Sequence, residues 1–227
     1  MNVSKSTCLV FVFVSCVFVL NAGTVALLTK DDVDGDGVST INVSNYDVED
    51  SIHSCIVGDS WGGEGLKIGR KEIRFTMTEI VACDGKNLST EPSIFVDMNG
   101  LGIDCYGLKG DKRWFIDPKE ALAFKADNDL KFVGITFRSW NGQQKEISIR
   151  CDSWKGLQGL NPSDGIQYKS SEGLFIIKNN PIFKDGFTVG DMIGKKDAKL
   201  PIKRNTPIRF ENTGGGSYGF TSLSFSD

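Results

Sequence analysis

Three groups of residues in this 227-residue chain have the types and spacing to do chemistry. The first is Asp31-Asp32-Val33-Asp34-Gly35-Asp36-Gly37-Val38. Alternate carboxylates can converge on one cation, and Gly37 allows the sharp turn between them. Asp32, Asp34 and Asp36 therefore form a candidate calcium site. The second half of an EF-hand loop does not follow, because Val43 stands where its bidentate Glu belongs. A solvated acidic turn is the competing reading.

The second group is aromatic. Trp61, Trp114, Trp140 and Trp154 lie beside glycines, in turns or at strand ends. An exposed indole stacks on the apolar C–H face of a sugar, while nearby amides and carboxylates take its hydroxyl protons. Trp140-Asn141-Gly142-Gln143-Gln144 has that mixture, as does Trp154 beside Asp152. Trp61, Trp140, Asn141 and Trp154 are thus the candidate ligand-binding residues. The alternative is that these indoles plug the ends of the core, with their N–H groups bonded to loop carbonyls.

The third group is catalytic, and it is thin. His53 is the single histidine, so any Ser-His-Asp triad must use it. No nucleophile elbow accompanies it. A glycoside hydrolase needs only two facing carboxylates. Among 29 acids, Glu64, Glu79, Asp97, Asp104 and Asp164 lie near turns, and nothing singles out a pair.

The elements that would position these groups are strands. Leu122-x-Phe124 then Phe132-x-x-Ile135-x-Phe137 is echoed by Ile208-x-Phe210 then Phe220-x-x-Leu223-x-Phe225. Each half reads as a strand, a Gly/Asn/Asp-rich turn and a second strand. The expectation is two equivalent strand pairs, the second closing the sheet that the first helps to build. Ile73-Arg74-Phe75-Thr76-Met77-Thr78 alternates strictly, as a half-buried strand does. Ile147-x-Ile149-x-Cys151 alternates too, which turns Cys151 inward. Gly173–Lys178, Phe187–Val189 and Leu200–Ile202 read as further strands, and 156–165 as a loop. Residues 118–126 have a helix-friendly composition, but their match to Ile208–Phe210 favours a strand. Strands at this spacing, in a chain with 26 Gly and 15 Phe, predict an all-β fold, a single jelly-roll-like β-sandwich.

Residues 1–23 read as a secretory signal, leaving 24–227 as the sandwich domain. Lys5 is their one charge, and the apolar run Leu9–Leu20 is short for a membrane span. Without Lys5, 25 basic and 29 acidic residues give a mature charge of −4. That argues against a nucleic-acid partner, which basic surface would attract. Cys55, Cys83, Cys105 and Cys151 remain after the signal. An even number in an exported chain favours disulfides, with a lean to Cys55–Cys83 and Cys105–Cys151. Buried free thiols are the alternative. Asn42-Val-Ser44 and Asn87-Leu-Ser89 are glycosylation sequons in a eukaryotic host.

The segment Asp117-Pro-Lys-Glu-Ala-Leu-Ala-Phe, continued by Asp127-Asn-Asp-Leu-Lys-Phe-Val-Gly-Ile-Thr-Phe, resembles β-sandwich modules of bacterial exported proteins of the PEP-CTERM type. So does Asn205-Thr-Pro-Ile-Arg-Phe with Gly214-Gly-Gly-Ser-Tyr-Gly-Phe. The likeness covers about a third of the mature chain, and the family's sorting tail and closing Arg cluster are missing. It implies a jelly-roll-like sandwich with an adhesive or sugar-binding role. The function expected from the sequence is a secreted, non-catalytic β-sandwich that binds or builds structure outside the cell, with a glycan or a protein as partner. The alternatives are a carbohydrate-binding module stabilised by calcium and, third, a glycoside hydrolase.

Overall fold

The repeated Phe motif forms the centre of the molecule. In the computed structural model the described residues are 28–29, 38–42, 53–55, 60–68, 71–81, 93–97, 100–104, 115–141, 146–178 and 185–227. Side chains are described for residue 68 and for 71–81, 101–103, 115–137, 146–178 and 185–227. In chain order the strands are β1 (Leu28–Thr29), β2 (Val38–Asn42), β3 (His53–Cys55), β4 (Ser60–Ile68), β5 (Lys71–Val81), β6 (Ser93–Asp97), β7 (Gly100–Asp104) and β8 (Ala121–Ala126). Then come β9 (Leu130–Asn141), β10 (Glu146–Cys151), β11 (Ile166–Lys169), β12 (Leu174–Lys178), β13 (Gly186–Thr188), β14 (Leu200–Ile202), β15 (Ile208–Asn212) and β16 (Ser217–Ser226). A 3₁₀ turn (Asp152–Trp154) follows β10, and one short helix, α1 (Val189–Ile193), follows β13.

The strands form two antiparallel sheets, so the protein is an all-β sandwich. One sheet runs β11-β12-β10-β15-β8-β5-β4. The other runs β1-β2-β16-β7-β6-β3, with β9 on the second edge of β16 and β13 and β14 beyond it. Face-to-face packing is visible in the rings. Phe75, Phe124 and Phe210 of the first sheet meet Phe132 and Phe225 of the second, with Phe75–Phe225 centroids 5.2 Å apart and Phe132–Phe210 6.1 Å apart. All five rings are buried.

The strand pairing expected from the repeat differs from the one observed. β8 and β9 do not pair with each other, nor do β15 and β16. Each half instead crosses from one sheet to the other. The two halves then pair with each other, as β8 with β15 and β9 with β16. The register is reciprocal: Leu122 faces Phe210 and Phe124 faces Ile208. In the other sheet Phe132 faces Phe225, Ile135 faces Leu223 and Phe137 faces Phe220. The apolar pattern suits either arrangement, since a hairpin and a pair of facing strands both turn their apolar faces to one core. The connections at 127–129 and 213–216 take the chain from one sheet to the other.

The irregular x-x spacing in each half has a structural cause. A strand repeats every two residues, so Phe132 and Ile135 would point to opposite faces of a regular strand. The register shifts by one residue at Val133 in β9 and at Thr221 in β16, which are equivalent positions of the repeat. Each bulge returns the next apolar residue to the core side.

Another bulge lies in β5, whose alternation holds through Ile73, Phe75 and Met77. The register then slips between Met77 and Glu79. Ile80, not Glu79, comes to face the core. Ile147, Ile149 and Cys151 of β10 all point inward, as their alternation predicts. Residues 118–126 form no helix. The turn at Pro118 and Lys119 leads directly into β8, and Lys119 has φ 73°.

Candidate functional site

A concavity among the described residues lies where two connections run side by side. One is the loop after the 3₁₀ turn, residues 155–165. The other is the return from α1 to β14, residues 193–201. Between them is an open cleft of about 750 Å³. The first wall turns at Gly156 and Gly159, whose φ values of 74° and 71° lie in the left-handed region that favours glycine. The second wall begins with α1. Thr188 Oγ1 accepts the Asp191 N–H at 3.1 Å, and Asp191 Oδ2 accepts the Thr188 N–H at 2.8 Å, a reciprocal capping box. Gly194, with φ 62°, ends the helix.

The two walls are tied at both ends. At one end Ser163 donates its N–H to the Met192 carbonyl at 2.8 Å and its Oγ–H to the Asp191 carbonyl at 2.5 Å. At the other, Trp154 Nε1–H donates to the Pro201 carbonyl at 2.8 Å, and the Lys203 N–H donates to Ser153 Oγ at 2.9 Å. Leu157, Leu160 and Ile193 supply apolar lining, while Gln158, Asn161 and Ser163 supply amides and a hydroxyl. Lys131, Lys195, Lys199 and Asp197 supply the charges. Lys131 Nζ also donates to the Asp227 backbone carbonyl at 2.8 Å.

Trp154 does not present a face to a ligand. It is fully buried, 6.1 Å from Phe132 and 5.7 Å from Phe175 between ring centroids. Its backbone carbonyl accepts the Tyr168 hydroxyl at 2.5 Å. This residue plugs the core and props the cleft from behind. Its sequence context, beside Asp152 and ahead of a Gly-rich loop, made it a candidate platform; the indole instead packs against Phe132 of β9 and Phe175 of β12 and bonds to β14, the core-plugging alternative. Trp61 lies in β4, its backbone opposite Phe75, so the Gly-rich stretch around it is a strand rather than a loop. Trp140 and Asn141 end β9 in the other sheet, with Asn141 opposite Ser217. The side chains of Trp61, Trp140 and Asn141 lie outside the described residues, as do Asp32, Asp34, Asp36 and Trp114. The backbone thus sets Trp61 and Trp140 on different sheets.

Cys151 is a free buried thiol, so the Cys105–Cys151 bridge is not formed. Cys105, Cys83 and the side chain of Cys55 lie outside the described residues. Burial pushes the Cys151 thiol above its ordinary range. Hydrogen bonds with Ser153 oppose that rise, and the charge of Asp152 adds to it. A thiol held protonated in this way is a packing group rather than a nucleophile.

A second polar cluster sits on the outer face of the first sheet, over Ala123. Arg209 Nε donates to Glu79 Oε2 at 2.7 Å, and its Nη1 donates to Glu211 Oε2. Burial works against the Arg209 charge, but the hydrogen bonds that it donates to Glu211 and Glu79 outweigh it and raise the guanidinium above its usual range. The β5 bulge is what brings Glu79 here, since an unbroken alternation would point it into the core. Glu79, one of the acids near turns, is drawn into this cluster, and Arg209 stands between it and Glu211. Among the described residues no three His, Cys, Asp or Glu side chains gather to hold a metal ion. No helix of the described residues is long and apolar enough to cross a membrane.

Comparison with protein-family models, with curated proteins and with solved structures finds no match to this chain. The cleft residues therefore have to be weighed on their own chemistry. Sequence reasoning passed over them, reading 156–165 as loop and 200–202 as strand. One signal was present. Residues 195–204, Lys-Lys-Asp-Ala-Lys-Leu-Pro-Ile-Lys-Arg, hold five basic residues and one acid in a chain of net charge −3.

Proposed function

We propose that this chain is an exported, non-catalytic β-sandwich protein that acts by binding, and that its ligand enters the cleft between residues 157–163 and 193–201. One observation carries the reading: the two walls are fastened to each other at both ends by hydrogen bonds of Ser163, Trp154 and Ser153. A cleft fastened in this way is formed before the ligand arrives, so binding costs less ordering. Its volume of about 750 Å³ lies within the ordinary range of small-ligand sites. Export is supported by the apolar run Leu9–Leu20 and the small residues that follow it.

The carbohydrate reading is the second, and the cleft lining favours it over a protein partner. Amides of Gln158 and Asn161 and the Ser163 hydroxyl stand beside Leu157 and Leu160. Sugar rings ask for that pairing of hydrogen-bonding groups with an apolar surface. The competing location is the strand-end group Trp61, Trp140 and Asn141. A glycan array read with the full chain, Asn161→Ala and Trp140→Ala tests both. The proposal expects glycan binding that Asn161→Ala weakens at least tenfold. Binding lost only in Trp140→Ala would move the site, and no binding to any glycan or extracellular protein would sink the reading.

A further inference from the structure

The charges of the cleft narrow its ligand. Of its lining residues Lys131, Lys195 and Lys199 are basic and Asp197 is acidic, a balance of 3 − 1 = +2. Lys196, Lys203 and Arg204 continue the same segment and are exposed. The whole chain is acidic by three charges, so this wall is a local reversal of sign. Among the described residues neither Lys195 nor Lys199 belongs to an ion pair, whereas Lys155, Lys169 and Lys178 each have a carboxylate partner. The segment that carries Lys195 and Lys199 is fixed: Lys195 N–H bonds to the Gly190 carbonyl and Ala198 N–H to the Lys195 carbonyl, both at 3.1 Å.

Resting on the binding role given above for this cleft, we infer that its ligand is an acidic polysaccharide, one that repeats carboxylate or sulfate groups along a chain of hydroxylated rings. Three features select it together. Lys195 and Lys199 are spaced along one wall with Lys131 on β9, an arrangement for several separated charges rather than one phosphate. Lysines are point charges, whereas single phosphates are commonly gripped by the bidentate fork of arginine. Gln158 and Asn161 on the opposite wall serve neutral hydroxyls, which a polyphosphate lacks. At Gly194 the two walls close on each other, since a Cβ there would stand 3.8 Å from Ser163 Oγ and 4.0 Å from the Asn161 carbonyl.

The experiment is a binding titration of the full chain with polygalacturonate, a sulfated galactan, a neutral galactan and a single-stranded DNA oligomer, at low and physiological salt. The expected result is binding of one or both acidic polysaccharides, weakened at least tenfold by raising the salt. Lys195→Gln with Lys199→Gln should cost at least tenfold at low salt and flatten the salt dependence. Lys125→Gln, on β8 away from the cleft, should cost nothing. The polygalacturonate and sulfated arms tell carboxylate from sulfate. Equal or better binding of the neutral galactan, or a preference for DNA, overturns the inference. So does acidic-polysaccharide binding that the double lysine variant leaves intact. A neutral galactan that binds and is lost in Asn161→Ala would overturn the acidic ligand while leaving the cleft as the binding site. Binding to none of the four probes, with glycan-array binding that Asn161→Ala abolishes, does the same.

Discussion

The indole N–H of Trp154 and the carbonyl of Pro201 meet at 2.8 Å, with the indole in the core and the proline on the cleft wall. One hydrogen bond thus joins the packing of the sandwich to the shape of the proposed site. Trp154→Phe keeps most of the ring volume and removes the donor. Pro201 is exposed, so water can replace the donor, and the lost bond itself should cost about 0.5–1.5 kcal/mol. The expected outcome is a lower urea midpoint with an unchanged denaturant slope. Stability equal to wild type would show that β14 does not depend on this bond.

Phe132 and Phe225 face each other across β9 and β16, with centroids 6.0 Å apart. Replacing either with Ala should cost about 3–5 kcal/mol, as for other buried Phe residues. The double variant should lose less than the sum of the two, by about 0.5–1.5 kcal/mol, because one deletion removes part of what the other touches. Additive losses would mean that the two rings do not share one contact surface. Where the Ala variants do not fold, Phe132→Leu and Phe225→Leu carry the same cycle with smaller losses.

Alkaline pH should weaken the fold. Cys151 is raised from 9.0 chiefly by burial, and Tyr218 is raised well above 10.0 by burial and by the charges of Glu211 and Glu120. Both groups hold their protons more tightly when folded. Their contribution is therefore full below the unfolded values and is lost as pH rises through the folded ones. Urea midpoints should be level up to about pH 9 and fall above it, more steeply beyond pH 10. Tyr218→Phe should lessen the fall beyond pH 10; parallel profiles for the two proteins would contradict this. Cys151 should resist alkylation until the chain is unfolded, as read by peptide mass.

Arg209 bridges Glu79 and Glu211 on the outer face of the first sheet. Arg209→Met leaves two carboxylates facing each other without a cation. Because all three side chains are partly exposed, the loss should be modest, about 1 kcal/mol, and smaller at high salt. Adding Glu79→Gln should recover part of it. No recovery would mean that Arg209 acts through its packing alone.

Much of the fold was legible in particular residues. The alternation of Ile73, Phe75 and Met77, and of Ile147, Ile149 and Cys151, marks inward faces that the structure keeps. The repeat at Leu122 and Ile208 marks paired strands, and its broken spacing is the signature of two equivalent bulges. What the repeat could not reveal is which strand pairs with which, since adjacent and opposite sheets demand the same apolar pattern. α1 was missed because Val189–Ile193 is too short to show a helical period; the Thr188 and Asp191 capping pair was its one mark. The cleft was missed for a related reason. Its walls are distant in sequence, and each alone reads as a polar turn. Trp154 could be read as a sugar platform or as a core plug, because sequence shows the neighbours of a residue along the chain and not those across the core.

The most direct test of the central claim is amide hydrogen exchange of the full chain with and without oligogalacturonate. The cleft account expects new protection confined to residues 157–163 and 193–201, with the rest of the sandwich unchanged. Protection that falls instead on Ser60–Ile68 and the end of β9 near Trp140, with none at the cleft, would contradict it.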